Sequence, residues 1–543
     1  MLASVASLLL LGAGVASAAE PDSAAWMYEP DNIVAIDLSL PQASVEALEA
    51  VPPTSEYQEA IFSLAETDGT PGGIGEFSAP LTVGIRIKGK AGSFRPLPQK
   101  SAFKIKFSSF VSGQKFLGLK KMTLNNMVQD ASMVHEMLSY ETFGAAGVPR
   151  PRTGYAFVRL NGEALGVYLN IEDLDDVGLE KRFGPFDDPQ HLYEGEYGTD
   201  VTVGGEEDFE VDEGDDEDLS DLEALSAAAN DELAPDWSER VEPHADLAEM
   251  TRMWAVEKYA GHWDGYAGKA DDEEHDLPNN FYLYSDPAGR FQMLPWGTDQ
   301  TWEERLAFDA PGALLFNGCL GDASCAAVYE DAATAVLGSI PALDLDPKAL
   351  CTAELLDPWQ RLERASIRPY DAGQIAAAVA ATRDFVAERP SELAAWLGLP
   401  SPGQRFAERC APPEVGYSSA VVILPPGEEH AAGSSLQLGR TGISRGALIV
   451  RVQASVPGQL DLRATVATRK GRATACANAV WVTAGTTAVR CPLSAVVRER
   501  LASRWLKLRL EAGLAPAVGA EVEAAAARRL ARSGAPGTRP QAP

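Results

Sequence analysis

GHWDGYAGKADDEEHDLPNNFYLYSDPAGRFQMLPWGTDQTW, Gly261 to Trp302, sets Asp264, the pair Asn279 and Asn280, and Asp299 around one predicted hairpin. FYLYSDPAGRFQMLPW reads as two strands joined at Asp286-Pro287-Ala288-Gly289, because proline and glycine supply the turn dihedrals. Asn280 enters the first strand and Asp299 lies just past the second. Carboxylates and amides at strand ends match what Mg²⁺ takes alongside waters and phosphate oxygens. The same residue types are also ordinary turn formers, so spacing alone leaves both readings open.

Working upstream, LTVGIRIKG and SAFKIKF read as strands around the turn GKAGSFRPLPQ. Gly89, Gly92 and Ser93 lie in that turn, where glycine lets backbone amides approach a phosphate; a plain hairpin turn would look the same. Arg86 and Lys88 share one face of the first strand, with phosphate contact or solvated charge as their two readings. Lys104 and Lys106 share a face of the second. In a helix beginning near Asp130, Met133, Met137 and Tyr140 form an i, i+4, i+7 stripe with Glu136 inside it. A glutamate so placed needs a cationic partner, since an unpaired buried carboxylate is costly.

GHWDGY, NNFYLY and PWGTDQTW, with VGIRIKGKAGSFR, QKSAFKIKF, the run from Asp130 through NIEDLDD, and HLYEG, occur in the order of the CotH family. The chain resembles these secreted spore-coat-type kinases from about Val83 to Trp302. The resemblance implies a protein-kinase-like α+β fold, ATP with Mg²⁺ or Mn²⁺, and transfer of the γ-phosphoryl group to hydroxyl side chains of a secreted or cell-surface protein. It pairs Lys104 with Glu136, with Lys106 as the alternate, and gives the phosphate turn to Gly89, Gly92 and Ser93. Asp299, Asn280 and Asn279 become metal ligands, and Asp264 either a catalytic base or a further ligand. Glu172 and Asp175 match as supporting acids near the cleft. Many members carry another aspartate where this chain has Gly297, a departure that removes a possible second ligand.

The first residues, MLASVASLLLLGAGVASAAEP, read as a signal peptide over 1–18. No later apolar run reaches the ~20 residues that span a bilayer, so no transmembrane anchor is expected. Cys319, Cys325, Cys351, Cys410, Cys476 and Cys491 form an even set, for which structural disulfides are the default in an exported chain. Cys476 and Cys491 flank one predicted hairpin and are paired on that ground. Cys319 with Cys325 and Cys351 with Cys410 is the simplest of three remaining connectivities. A net charge of −32 argues against nucleic acid as a partner. EEDFEVDEGDDEDLSDLE, residues 206–223, has acids and no base and reads as a solvated insertion.

The kinase-like domain is expected over 28–405, followed by a small β-sandwich-like domain over 415–512, where ALIVRVQA, LDLRATVAT and WLKLRL alternate, and a disordered tail over 513–543. The alternative to an enzyme is a catalytically silent surface or matrix protein that keeps the fold. A calcium-dependent scaffold built on the acidic run is a third reading. Oligomeric state is not legible in the chain.

Overall fold

Seven strands in the first half of the chain close a sheet on itself. The computed structural model describes residues 22–410 apart from 31, 51–52, 91, 196, 231–235, 269–277, 405 and 408–409. It then describes 436–530 apart from 445–446, 455–457, 469–470, 483–484, 494–496, 498–505 and 517–521. The expected signal peptide lies outside these residues. Residues 1–413 and 414–543 form two separate units.

In the first unit β1 (Ile33–Ser39), α1 (Gln42–Glu49), β2 (Gln58–Glu66), β3 (Leu81–Lys88), β4 (Ala102–Lys106), β5 (Lys121–Asn125), α2 (His135–Ala145), β6 (Thr153–Leu160) and β7 (Glu163–Ile171) come first. Their seven strands close a barrel in the order β1-β2-β3-β4-β5-β7-β6. The parallel β1–β6 pairing, Ile33 opposite Tyr155, completes it. Val83, Ile85, Phe103, Ile105, Met122 and Leu124 point into its core. Period-two alternation therefore sends Lys88, Lys104, Lys106, Thr123 and Asn125 to the outer face. The Asn161-Gly162 turn joins β6 to β7 with positive φ at both residues, as a two-residue hairpin requires.

Next come α3 (Asp176–Phe183), β8 (His191–Gly195), β9 (Glu210–Glu213), α4 (Ser220–Ala229), α5 (Trp237–Val241), α6 (Leu247–Ala260), β10 (Phe281–Ser285) and β11 (Phe291–Pro295). The second sheet runs β11-β10-β8-β9. Then α7 (Leu314–Gly321), α8 (Ala323–Leu343), α9 (Leu345–Gln360) and α10 (Ala372–Leu397) complete the unit. The second sheet, α2 and these helices share a core rich in aromatics, including Trp237, Trp254, Tyr266, Trp302, Phe316 and Trp359. Helices and strands are thus mixed as α+β.

Two local expectations change. The helix expected from Asp130 starts at His135, because the Asp130 carboxylate accepts the amides of Ser132 (2.8 Å) and His135 (2.9 Å) and Met133 sits at φ 62°. Met133 therefore precedes the stripe rather than belonging to it. Nor is 206–223 a bare solvated loop. Its centre forms β9 on the edge of the second sheet, and α4 begins at Ser220. Self-repulsion is relieved from outside the segment: Lys121 of the barrel meets Glu213 at 3.0 Å.

The second unit contains β12 (Leu436–Ser444), β13 (Ala447–Ala454), β14 (Gly458–Thr468), β15 (Gly471–Val482), β16 (Gly485–Pro492), β17 (Leu506–Pro516) and β18 (Val522–Leu530). Sheets β12-β13-β16 and β15-β14-β17-β18 share one core around Leu448, Val450, Leu462 and Leu510. β18 extends the sheet into the stretch expected to be a tail, because Val522–Leu530 finds a full partner in β17. Three disulfides form: Cys319–Cys325, Cys351–Cys410 and Cys476–Cys491. The last joins β15 to β16 across the two sheets. Among the described residues no helix is long and apolar enough to cross a membrane.

Candidate functional site

Three adjacent strands of the barrel lay out their outward side chains in rows. Lys88 stands opposite Ala102, and Arg86 opposite Lys104. Lys104 in turn faces Thr123, and Lys106 faces Lys121. Continuing that register by one residue puts Asn125 beside Ala102. Lys88, Ala102 and Asn125 therefore form one row, with Arg86, Lys104 and Thr123 in the next.

Asn125 decides which lysine shares a row with Glu136. Its amide nitrogen donates to Glu136 Oε2 at 2.6 Å, so the first turn of α2 sits over the Lys88 row. Burial and the neighbouring Asp299 push the Glu136 carboxyl up to about 8, against the pull of Lys88. Burial lowers Lys88, opposed by Glu136 and Asp299, and its ammonium lies over the Trp296 ring at 5.5 Å. The expected Lys104–Glu136 pair is thus displaced by one row. Lys104 answers first to Asp173, then to Asp212 and Glu194, and is raised by them. Asp173 is fixed there by the Thr123 hydroxyl at 3.1 Å. Lys106 is a further row away, and it and Arg86 both lie over Tyr57.

The turn after Lys88 is held by its own hydrogen bonds. Gly89 has φ 111° and Gly92 φ 79°, conformations that a side chain would strain. Ser93 Oγ accepts the Lys90 amide at 3.2 Å, so the hydroxyl closes the turn. Asn126 donates to the carbonyls of Ser93 (3.2 Å) and Lys100 (3.0 Å), pinning both ends of the segment. Lys100 itself is fully buried against Glu363 at 2.9 Å.

Across from the lysines, two turns present acids. Asp299 follows β11 and is partly exposed. Burial and Asp130 push it up to about 6, Lys88 opposes, and Asp264 adds to the rise. His135 Nδ1 donates to the Asp299 carbonyl at 3.1 Å, fastening that turn to α2. Asp264 follows α6, which Gly261 ends at φ 69°. Its Oδ1 accepts the Asn279 amide at 3.0 Å, and its Oδ2 accepts those of Asn280 at 2.8 Å and Gln300 at 3.3 Å. Asn280 also donates to the Asp264 carbonyl at 2.9 Å. The two asparagines therefore turn their nitrogens to Asp264, and only their carbonyl oxygens remain as donors for a cation. Among the described residues no three His, Cys, Asp or Glu side chains converge into a preformed metal cluster. Glu136 Oε1 is nevertheless buried without a hydrogen-bond partner, and it lies among acids that repel one another.

Gly297 follows from the same geometry. It has φ 53°, and a Cβ there would lie 2.3 Å from Asn280 Oδ1. Glycine at 297 is what lets Asn280 reach Asp264. Glu172 is corrected as a cleft residue: Arg152 and Arg182, each at 2.6 Å, and Lys181 at 3.0 Å surround it and hold it well below the usual carboxylate range. Asp175 caps α3 by accepting the Gly178 amide at 3.2 Å, and burial with Asp173 pushes it up to about 7. Asp173, Glu194, Asp212, Asn125 and Gln300 were not anticipated. Only Asp173 had a signal, since alternation past the end of β7 puts neighbours 172 and 173 on opposite sides.

A profile of the family described as CotH kinase protein matches residues 85–309. This chain carries a CotH-family domain. Every candidate residue from Arg86 to Asp299 lies inside the CotH span, while α9 and α10 lie beyond it. The inner spore coat protein H of Bacillus subtilis (strain 168) is 26% identical over 292 residues, covering 48% of this chain and 76% of the relative. An inner spore coat protein H-like protein of the same organism is 31% identical over 84 residues, covering 16% of this chain and 26% of the relative.

Proposed function

We propose that the CotH domain is an atypical protein kinase, transferring the γ-phosphoryl group of ATP to a hydroxyl side chain of an extracytoplasmic protein. The observation that carries this reading is Lys88, which ends the barrel strand at the Gly89–Ser93 turn, shares its row with the Asn125 that donates to Glu136, and is held charged by Glu136 and Asp299 against its burial. Protein kinases hold the α- and β-phosphates with a lysine oriented by a glutamate. Here Lys88 takes the part expected of Lys104. Backbone amides of the turn would approach the phosphates, and Lys104, held by Asp173, adds positive charge one row away.

The donors fit a hard divalent cation. Asp299, with the Asn280 carbonyl oxygen, would hold Mg²⁺ or Mn²⁺, and the crowding that raises Asp299 is what a cation relieves. Such an ion supplies charge neutralisation on the phosphates. Asp264, locked by three amide nitrogens, is suited to orient an acceptor hydroxyl. Most of the rate enhancement would then come from positioning and electrostatics. Export is supported by the signal-like first residues, the three disulfides and the spore-coat names of the relatives.

The test is incubation of the mature protein with Mn²⁺- or Mg²⁺-ATP and a hydroxyl-rich protein acceptor, read by mass spectrometry. Phosphate added by the native chain and absent with Asp299→Asn supports the kinase. Intact fold with neither nucleotide binding nor phosphate transfer moves the domain to the silent surface-protein reading.

A further inference from the structure

We infer that Glu257, which belongs to none of the groups assigned above, is the positioning residue that fixes the Asp264 loop on the acidic side of the site. The inference rests on the kinase reading for its catalytic consequence, but its structural content stands apart. Glu257 lies in the last turn of α6 and is fully buried. Its Oε1 accepts the Tyr266 amide at 3.0 Å, and its Oε2 accepts the Ala267 amide at 2.7 Å. Its backbone carbonyl accepts the His262 amide at 2.9 Å. One residue thus receives amides from both sides of Asp264, and the chain is wound around its side chain.

Close approach is what makes this winding possible. A Cβ on Gly265 would lie 2.3 Å from Glu257 Oε1, and one on Gly268 would lie 1.9 Å from the His262 carbonyl. The His262 ring is buried beside the carboxylate, with Nδ1 3.3 Å from Oε1. A buried carboxylate is expensive unless its oxygens are satisfied, and here backbone amides of the loop satisfy both. Such an anchor has a functional rationale, because a displacement of about 1 Å at a reacting group costs about a hundredfold in rate. Asp264 holds Asn279, Asn280 and Gln300, so an error in its loop would spread through the whole acidic side of the site.

Glu257→Gln tests this, because it keeps the size but sets an NH₂ against one of the two loop amides. Amide hydrogen exchange at Tyr266 and Ala267 is expected to accelerate about tenfold, the scale of one lost hydrogen bond. Transfer is expected to fall about tenfold or more in kcat, with a smaller rise in KM for Mg²⁺-ATP, because Asp264 itself is displaced and the Asn280 ligand only through it. Gly265→Ala is the second variant; it leaves the carboxylate in place and wedges the loop off it, and the same split is expected. Unchanged exchange at both amides in both variants, or kcat retained by both, overturns the assignment. If the native chain transfers no phosphate, the kinase reading fails, and exchange at Tyr266 and Ala267 still decides whether Glu257 holds the loop.

Discussion

Glu363→Gln isolates the charge of Lys100, a residue that closes the glycine-bearing segment before β4. Both side chains are fully buried, and Lys100 Nζ meets Glu363 Oε1 at 2.9 Å. The same oxygen accepts the Val167 amide at 2.9 Å, a bond that glutamine can keep. The substitution therefore removes little but the negative charge. Breaking a buried pair from one side costs about 3–5 kcal/mol, because the remaining ion has no water to return to. Burial already lowers Lys100 despite its partner. Without the partner the folded-state value falls further below the unfolded one. The unfolded chain then binds the extra proton, and the variant gains stability relative to the native protein as pH rises toward the lysine range, by about 1.4 kcal/mol per unit. Urea unfolding of the full chain, followed by tryptophan emission at pH 7 and pH 9, measures both numbers. Lys100→Met with Glu363→Leu should recover part of the loss, leaving about 1–3 kcal/mol for the unpaired Val167 amide. A single-variant loss below about 1 kcal/mol that does not change with pH would refute the reasoning.

Glu249 should make the protein less stable in mild alkali. Burial pushes it up to about 8, so the folded state keeps a proton that the unfolded state has released, and stability falls as pH rises from about 4.5 to 8. Glu249→Gln should melt like the native protein near pH 4.5 and higher near pH 8, with an upper bound of about 5 kcal/mol. Gly297→Asp should weaken metal-nucleotide binding although it adds an acid, because the side chain displaces Asn280 from Asp264; the backbone conformation alone costs about 1 kcal/mol, and calorimetric titration reads the result. Asp264→Asn should still bind nucleotide but lose transfer, measured on one preparation by titration and by mass spectrometry.

Legibility in the chain followed how local the cause was. The hairpin at Asp286–Gly289 depends on a few adjacent residues, and it was readable. The grouping of Asp264, Asn279, Asn280 and Asp299 came from order along one segment. The lysine assignment slipped by a row because it depends on register across β3, β4 and β5, which no single strand encodes. Asp130 moved the helix start by folding its carboxylate onto local amides, a choice that the apolar stripe conceals. The acidic stretch reads as solvated only while Lys121 and Lys104 are out of view. Glu257 was hidden for the same reason: its partners are backbone amides, and these leave no mark in residue types.

Titration of Mg²⁺- or Mn²⁺-ATP into the native protein and into Lys88→Met, Lys104→Met and Asp299→Asn, with thermal melts as controls, tests the central claim most directly. The account predicts binding by the native chain, a loss of at least about tenfold in Lys88→Met and Asp299→Asn, and a smaller loss in Lys104→Met. Native affinity in Lys88→Met together with loss in Lys104→Met, or no binding by the folded native chain, would contradict it.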